Sequence, residues 1–139
     1  GVSPIGKLNP YERVEAETIA FSEGVKTEPN AKNGVYISDT HNGDYIKVRE
    51  VDFGNQFPKH FTATVASARR GGTLEVRTDS IGGALIAELT VPSTGGWEFW
   101  KTLQTNIKKP LTGVKDVYFV FKGRKGCELF NFDWYRFGK

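Results

Sequence analysis

The sequence predicts an all-β fold, a β-sandwich or jelly roll built from two antiparallel sheets, and three observations support this prediction. Short segments in which apolar and polar residues alternate recur at a spacing of about 8–12 residues, with turn signals between them. The chain is rich in Val, Thr, Phe and Tyr and contains no Met, a composition that favours strands. No segment has the 3.6-residue period of an amphipathic helix.

Length and charge narrow the possible classes of protein. The chain has 139 residues, which suits one domain with a substantial core. Its net charge of +3, from 19 basic and 16 acidic residues, is too small to indicate a nucleic-acid or membrane surface. The single cysteine, Cys127, cannot form an intramolecular disulfide. From the charge we expect no nucleic-acid or membrane partner. We also expect the protein to be a monomer.

The two ends of the chain differ in pattern. Residues 1–9 contain Gly and Pro without periodicity, and we predict that they are a linker remnant that precedes a domain at 10–139. No apolar run approaches the roughly 20 residues of a membrane span, and the N-terminus lacks the basic and then apolar layout of a signal peptide. A secreted form would therefore be mature or excised from a longer chain.

Strands are predicted wherever alternation is bounded by turn residues. In 44–51, for example, Tyr45 and Lys47 fall on one face while Ile46 and Val48 fall on the other. Turn signals such as Asn42-Gly43, Gly82-Gly83 and Gly95-Gly96 separate the segments. The predicted strands, in chain order, are 13–19, 44–51, 60–66, 73–78, 84–91, 98–107, 116–122 and 129–137. Trp100 and Trp134 lie inside these patterns and are predicted to be core residues.

The last predicted strand contains two residues that strand preferences do not explain. Asn131 and Asp133 interrupt an aromatic run of Phe130, Phe132 and Trp134, although Asn and Asp are depleted in strands. An amide and a carboxylate at these positions indicate a functional use.

Glu15 and Glu17 are a candidate cation site. Two carboxylates two residues apart on a strand project from the same face, where like charges are unfavourable unless a cation lies between them. Asp133 is a natural third carboxylate if the first and last strands are neighbours. A Ca²⁺ site fits this donor set, a solvated strand face without any ligand remains open, and a glycosidase acid/base pair is a weaker alternative.

Three other residues are candidates for sugar binding. Trp97 follows a Gly-rich loop, where an exposed indole is unfavourable unless something covers it; it is either a platform for a pyranose ring or a lid folded back on the sandwich. Tyr36 is either a second platform or an ordinary strand residue. Asn131 has two donors and an acceptor that can bind sugar hydroxyls, or it is a satisfied core amide.

Other chemistries lack a signature. His41 and His60 are far apart in sequence and there is no HExxH pattern, so zinc is not indicated. A GxSxG motif and a phosphate loop are also absent. The basic pairs Arg69–Arg70 and Lys108–Lys109 are interpreted as solvated turns.

Taken together, the segments from Asn9 to Phe137 resemble the family 6 carbohydrate-binding modules, in the order in which that family carries them. Residues 1–8 resemble, more weakly, the junction that joins such a module to an arabinoxylan-active catalytic domain. The matching segments include Val14-Glu15-Ala16-Glu17, Asn42-Gly43-Asp44-Tyr45-Ile46, Gly71-Gly72-Thr73-Leu74-Glu75-Val76-Arg77, Pro92-Ser93-Thr94-Gly95-Gly96-Trp97 and Phe130-Asn131-Phe132-Asp133-Trp134.

The resemblance implies a site and a cofactor. It implies a jelly roll with a structural Ca²⁺ bound by Glu15, Glu17 and Asp133, remote from the sugar. It also implies a loop cleft in which Tyr36 and Trp97 sandwich a sugar ring and Asn131 hydrogen-bonds it. Some members of the family use a second cleft on the concave sheet face, where Tyr45 and Glu75 match.

The resemblance also implies a function without catalysis. We expect a secreted, extracellular module that targets an attached glycoside hydrolase to xylan or arabinoxylan. A β-1,3- or β-1,4-glucan is the alternative ligand. The link between Tyr36 and Gly43 is longer than in the family, which favours binding of chain ends. A small glycosidase that uses Glu15, Glu17 or Glu75 with Asp133 is the alternative from another class.

Overall fold

A computed structural model describes residues 7–16, 18, 21–29 and 35–139. Within those ranges the chain forms eleven strands and no helix, and hence no helix that could cross a membrane. The strands are β1 (Val14–Glu15), β2 (Phe21–Glu23), β3 (Lys26–Pro29), β4 (Val35–Ser38), β5 (Tyr45–Asp52), β6 (His60–Ser67), β7 (Gly72–Thr78), β8 (Ala84–Val91), β9 (Gly96–Asn106), β10 (Val114–Lys122) and β11 (Asn131–Gly138).

The strands form two antiparallel sheets. One sheet has the order β3-β4-β11-β6-β9, with β1 also paired to β11, and the other has the order β2-β5-β10-β7-β8. Neighbours in each sheet come from distant parts of the sequence, and the two sheets pack face to face around one core. The prediction of an all-β sandwich with two antiparallel sheets is confirmed.

Aromatic side chains fill the space between the sheets. Phe132, Tyr135 and Phe137 of β11 are at most 1% exposed. The Tyr135 ring lies 4.6 Å from that of Phe119 on β10, and the Phe137 ring lies 5.1 Å from that of Phe61 on β6. Ring pairs at these distances add to the stability that burial alone provides, so β11 ties the two sheets together.

A β-bulge interrupts the alternation of β11 at Asp133. Phe132 pairs with Val65 of β6, whereas Trp134 pairs with the adjacent Thr64, so Asp133 is an extra residue on its strand. The prediction that Trp134 and Trp100 are core residues is wrong, because both are only half-buried. Trp134 lies beneath the Arg13 guanidinium, whose carbon is 4.8 Å from the ring centroid, and Trp100 contacts the Tyr36 ring.

The predicted strands correspond to observed ones, with one exception. Of the strand predicted over 13–19, the described residues form strand only at Val14–Glu15; Ala16 lies in a turn, and the Thr18 amide donates to the Glu15 carbonyl. Strands β2, β3 and β4 were not predicted. Every residue of β3 is exposed, so it has no alternation to detect, and β4 has only four residues.

The N-terminal segment joins the body at Leu8. The Leu8 amide donates to the Glu50 carbonyl, and the Asp52 amide donates to the Leu8 carbonyl. The domain boundary at residue 10 remains a prediction, and residues 1–6 lie outside the described ranges.

Replacement of Tyr135 by Phe should stabilise the protein. The Tyr135 side chain is fully buried, and its hydroxyl has no hydrogen-bond partner among the described residues; burial also raises the pKa of this hydroxyl. Removal of an unpaired buried hydroxyl should increase the free energy of unfolding by about 1 kcal/mol, measured by urea denaturation. Phe132→Ala, which leaves a cavity, should cost about 3–5 kcal/mol. A loss of stability in Tyr135→Phe would show that the hydroxyl is satisfied.

Candidate functional site

The structure brings Tyr36, Trp97 and Asn131 together in one groove of about 290 Å³. This groove, called the cleft below, opens beside the end of the sheet that contains β4, β11 and β9. Five further residues line it: Lys26, Glu28, Ser38, Asp39 and Glu128. The three residues that the resemblance assigns to one cleft therefore line one concave surface.

The alternation of β4 directs two polar side chains toward the cleft. Ile37 is fully buried in the core and pairs with Phe132 of β11. Its neighbours Tyr36 and Ser38 therefore project from the opposite face of the strand. Antiparallel pairing at Ile37 also places Ser38 next to Asn131, so that two polar side chains line the cleft side by side.

Asn131 holds one wall of the cleft in place. Its Nδ2 donates to the Trp97 carbonyl at 2.7 Å, which ties β11 to the start of β9. Its Oδ1 and the Ser38 Oγ are buried and have no hydrogen-bond partner among the described residues. Burial of a polar atom without a hydrogen bond costs free energy. Both atoms are therefore suited to accept hydrogen bonds from the hydroxyl groups of a ligand.

Trp97 lies in an irregular part of β9. Val65 of β6 pairs with Lys101 but Ser67 pairs with Gly96, so β9 has three extra residues here and the chain bulges at Trp97. The preceding loop is fixed by Thr94, whose Oγ1 accepts from the Ser67 amide at 3.0 Å and donates to the Gly96 carbonyl at 3.1 Å. The indole is half-buried at the groove wall; it is neither a core residue nor fully exposed.

Tyr36 forms a wall of the cleft. The side chain is only 6% exposed, and its ring meets that of Trp100 edge-on at 5.0 Å. Burial raises the pKa of its hydroxyl, and the carboxylates of Glu98, Glu28 and Glu128 raise it further. The hydroxyl is therefore protonated at neutral pH and can donate a hydrogen bond.

The charges at the cleft are mainly negative. Glu28, Asp39 and Glu128 contribute carboxylates, and among the described lining residues only Lys26 contributes an ammonium group. Lys26 Nζ lies 3.7 Å from Asp39 Oδ2. Asp39 belongs to the long link between Tyr36 and Gly43. A neutral ligand suits this surface better than an anionic one.

The predicted metal ligands are only partly described. Strands β1 and β11 are neighbours, as the site requires, with Glu15 opposite Trp134, and Asp133 is 6% exposed. Whether Glu15 and Glu17 share one strand face stays a prediction, because Glu17 lies outside the described residues. The Glu15 carboxylate lies 2.7 Å from Arg13 Nε, and the described residues contain no cluster of three metal-binding side chains.

The residues predicted for a second cleft lie on the other sheet. Tyr45 on β5 and Glu75 on β7 both pair with Val120 of β10, so they flank it in one row. The Tyr45 ring lies 6.0 Å from that of Tyr118, and Glu75 Oε1 lies 3.0 Å from Arg77 Nε. These contacts fix both side chains on the outer face of the sheet.

Sequence reasoning missed several cleft residues. Ser38 had a detectable signal, because it lies two residues after Tyr36 on the same strand face. Lys26 and Glu28 had none, since they reach the cleft through the pairing of β3 with Ser38 and Tyr36. Glu128 belongs to the loop of residues 125–128 just before Asn131, which the resemblance places beside the cleft without giving Glu128 a role.

Comparisons with known proteins agree on one family. The family model for a carbohydrate binding module (family 6) matches residues 15–139. The chain is 44% identical to an arabinoxylan arabinofuranohydrolase of Paenibacillus polymyxa over 99% of its own length, but it spans only 22% of that relative.

Two solved structures are similar to the whole domain. One is a family 6 module from Clostridium cellulolyticum in complex with xylose, with a TM-score of 0.89, 39% identity, and coverage of 94% of this chain and 99% of that one. The other is a β-1,3-glucan binding module of the same family from Bacillus halodurans, with a TM-score of 0.92, 36% identity, and coverage of 96% and 100%.

The Thr94 contacts lead to a stability prediction. Thr94→Val keeps the side-chain shape but leaves the Ser67 amide without the Oγ1 acceptor, so the free energy of unfolding should fall by about 1–2 kcal/mol. Thr90→Val, at an exposed position of β8, is the matched control and should change stability by less than about 0.5 kcal/mol. Equal stability of the two variants in urea denaturation would contradict a structural role of Thr94.

Proposed function

Because the chain belongs to the carbohydrate-binding modules of family 6, we propose that it holds an attached glycoside hydrolase on xylan or arabinoxylan through the cleft. The observation that carries this proposal is the convergence of Tyr36, Trp97 and Asn131 on one groove. The relative from Paenibacillus polymyxa is an arabinoxylan arabinofuranohydrolase, and a similar solved module is in complex with xylose. Both support xylan as the ligand class.

The module itself is not an enzyme. Its family binds carbohydrate without catalysis, and Glu75 of the glycosidase alternative is separated from Asp133. Glu75 lies on one sheet, whereas Asp133 lies on the other, although glycoside hydrolysis needs two carboxylates that flank a single bond. The contribution of the module to the reaction is to raise the local concentration of substrate around its attached enzyme.

Each cleft residue has a physical role in binding a neutral sugar. The Trp97 indole provides a flat apolar surface for the C–H face of a pyranose. Asn131 Oδ1 and Ser38 Oγ, both buried without partners among the described residues, accept hydrogen bonds from ring hydroxyls. The protonated Tyr36 hydroxyl donates one. Because a groove of this size offers few contacts, we expect a dissociation constant on the order of 10 μM to 1 mM.

A β-glucan is the second candidate ligand. A similar solved module of the same family binds β-1,3-glucan. Lys26 and Asp39, which form an ion pair at 3.7 Å, both line the cleft, and Asp39 belongs to the long link after Tyr36 that favours the end of a polysaccharide chain over its interior.

We further propose a structural Ca²⁺ at the junction of β1 and β11. Asp133 is a nearly buried carboxylate at a β-bulge, Glu15 lies on the neighbouring strand, and carboxylate oxygens are the ligands that Ca²⁺ takes. Asp133, Glu15 and Glu17 would hold the ion. Bound there, it would link the first strand to the last. A calcium site and a polysaccharide ligand both suit a secreted, extracellular protein. We also propose that the protein is a monomer.

Affinity electrophoresis of the Trp97→Ala variant tests the ligand and the cleft. We expect wild type to be retarded in gels that contain xylan or arabinoxylan, and the variant to migrate as in a gel without polysaccharide, because the stacking surface is lost. Gels with laminarin and with mixed-linkage glucan test the β-glucan alternative.

The matched control is Phe57→Ala, which removes an aromatic side chain that is 55% exposed and outside the cleft. It should bind like wild type. Retention of xylan binding by Trp97→Ala would move the site elsewhere, and lack of retardation in every gel would contradict the proposed function.

Removal of calcium should affect stability more than binding. With free Ca²⁺ at about 100 times its dissociation constant, bound ion contributes about 2.7 kcal/mol, so chelation should lower the melting temperature while the affinity for xylan changes little. Asp133→Asn should abolish this calcium dependence, whereas Asp79→Asn, at an exposed turn, should preserve it. Parallel loss of affinity and stability would place the ion in the sugar site instead.

A further inference from the structure

A second cavity, called the arginine pocket below, lies next to the cleft. It has a volume of about 610 Å³ and is bordered by the turn with Arg69 and Arg70, by the end of β8, and by the loop with Arg124 and Cys127. Glu128 lines both the arginine pocket and the cleft. One ligand can therefore reach both cavities across a single residue.

Three glycines line the arginine pocket, two of them where backbone segments approach closely. Gly71, Gly72 and Gly123 line it without side chains. A Cβ at Gly71 would collide with the Val91 carbonyl, and one at Gly72 with the Lys122 carbonyl. The backbone of Gly71 also has a positive φ of 80°, which a residue with a side chain adopts only at a cost.

The charge of this pocket is opposite to that of the cleft. Arg69, Arg70 and Arg124 are exposed, and within the described ranges their guanidinium groups have no ion-pair partner. Glu128 is the single carboxylate among the lining residues. Sequence reasoning interpreted Arg69 and Arg70 as a solvated turn. Both residues line a cavity, so they can contact a ligand bound there.

The two cavities therefore sort ligand groups by charge. The carboxylates of Glu28, Asp39 and Glu128 repel an anion from the cleft, while three guanidinium groups attract it to the neighbouring pocket. Guanidinium matches the geometry of a carboxylate through paired hydrogen bonds. A polysaccharide with a neutral main chain and carboxylate-bearing side groups satisfies both surfaces at once.

We propose that the arginine pocket binds the carboxylate of a uronic acid side group while the neutral sugar of the same polysaccharide occupies the cleft. This inference rests on the proposed function, because it takes xylan as the main chain, and it narrows the ligand to acidic, glucuronic acid-substituted xylan. The pocket is a secondary subsite that adds affinity and selects among substituted chains.

Calorimetric titration with matched oligosaccharides tests the subsite. Xylotetraose that carries one glucuronic acid should bind about tenfold more tightly than plain xylotetraose, the size expected for a charge-assisted contact. The gain should shrink at 1 M NaCl because salt screens the interaction. Arg70→Gln and Arg124→Gln should reduce the gain without changing the affinity for plain xylotetraose. Arg49→Gln, which removes an exposed arginine of β5, has the same change of charge and should preserve the gain.

Cys127 reports on the pocket independently of the cleft. It is the single cysteine of the chain and lines the arginine pocket, so the rate of its modification by a thiol reagent measures occupancy there. The glucuronic acid-substituted oligosaccharide should slow the modification, and so should free glucuronate at millimolar concentration. Plain xylotetraose should not. A galacturonic acid oligomer that protects as well as the xylan fragment would identify pectin as the source of the acid.

The outcomes separate this inference from the proposed function. If plain xylotetraose binds but glucuronic acid adds no affinity and no protection, the subsite is contradicted while the proposed function stands. If no xylan fragment binds but free glucuronate still protects Cys127, the pocket stands and the proposed function fails. If sulfate protects Cys127 as well as glucuronate does, the pocket is a general anion site and the assignment to uronic acids is overturned.

Discussion

The packing of β11 is the constraint on which the rest of the structure depends. This strand is paired with β4, β6 and β1, and its inner face contributes Phe132, Tyr135 and Phe137 to the core. Because side chains alternate across a strand, the inner face can be aromatic only if the register is kept, and a slip of one residue would expose every ring. Burial of the rings thus also determines where the polar residues of β11 point.

The same constraint builds the cleft. Once Phe132 and Ile37 are buried as a pair, Asn131 and Ser38 face the other way, and Asn131 can hold the Trp97 carbonyl. Two further contacts fix the surrounding loops to the residues just before β11. Thr40 Oγ1 donates to the Phe130 carbonyl at 2.6 Å, and Ser67 Oγ donates to the Leu129 carbonyl at 2.6 Å. A cleft held in this way is largely preformed, so binding orders few groups, which favours affinity for a small ligand.

The cleft and the adjacent arginine pocket differ in charge. The cleft combines an indole, an excess of carboxylates and two polar atoms without a partner among the described residues, which suits an uncharged sugar. The adjacent arginine pocket has the opposite sign, and Glu128 stands between them. A binding module gains selectivity from this arrangement because the two surfaces reject different ligands: an anion is repelled by the first, and a neutral side group gains little from the second.

How much could be read from the sequence differs between the fold and the site. Alternation and turn residues determined the sandwich, because a half-buried strand must place its apolar side chains every second residue, and they located seven strands with small differences at their ends. Residue type and position made Trp97 and Asn131 candidates and left Tyr36 open between a sugar platform and an ordinary strand residue, and the resemblance to family 6 modules implied that all three share a cleft. The tertiary structure supplied the contacts that hold the three in one groove, since β4, β9 and β11 are far apart in sequence. It also decided the contributions of Lys26 and Glu28, which act through strand pairing, and the position of Trp134, which a one-residue bulge turned out of the core. Strand register, bulges and contacts between loops depend on packing between residues that are distant in sequence. A local sequence pattern therefore does not predict them.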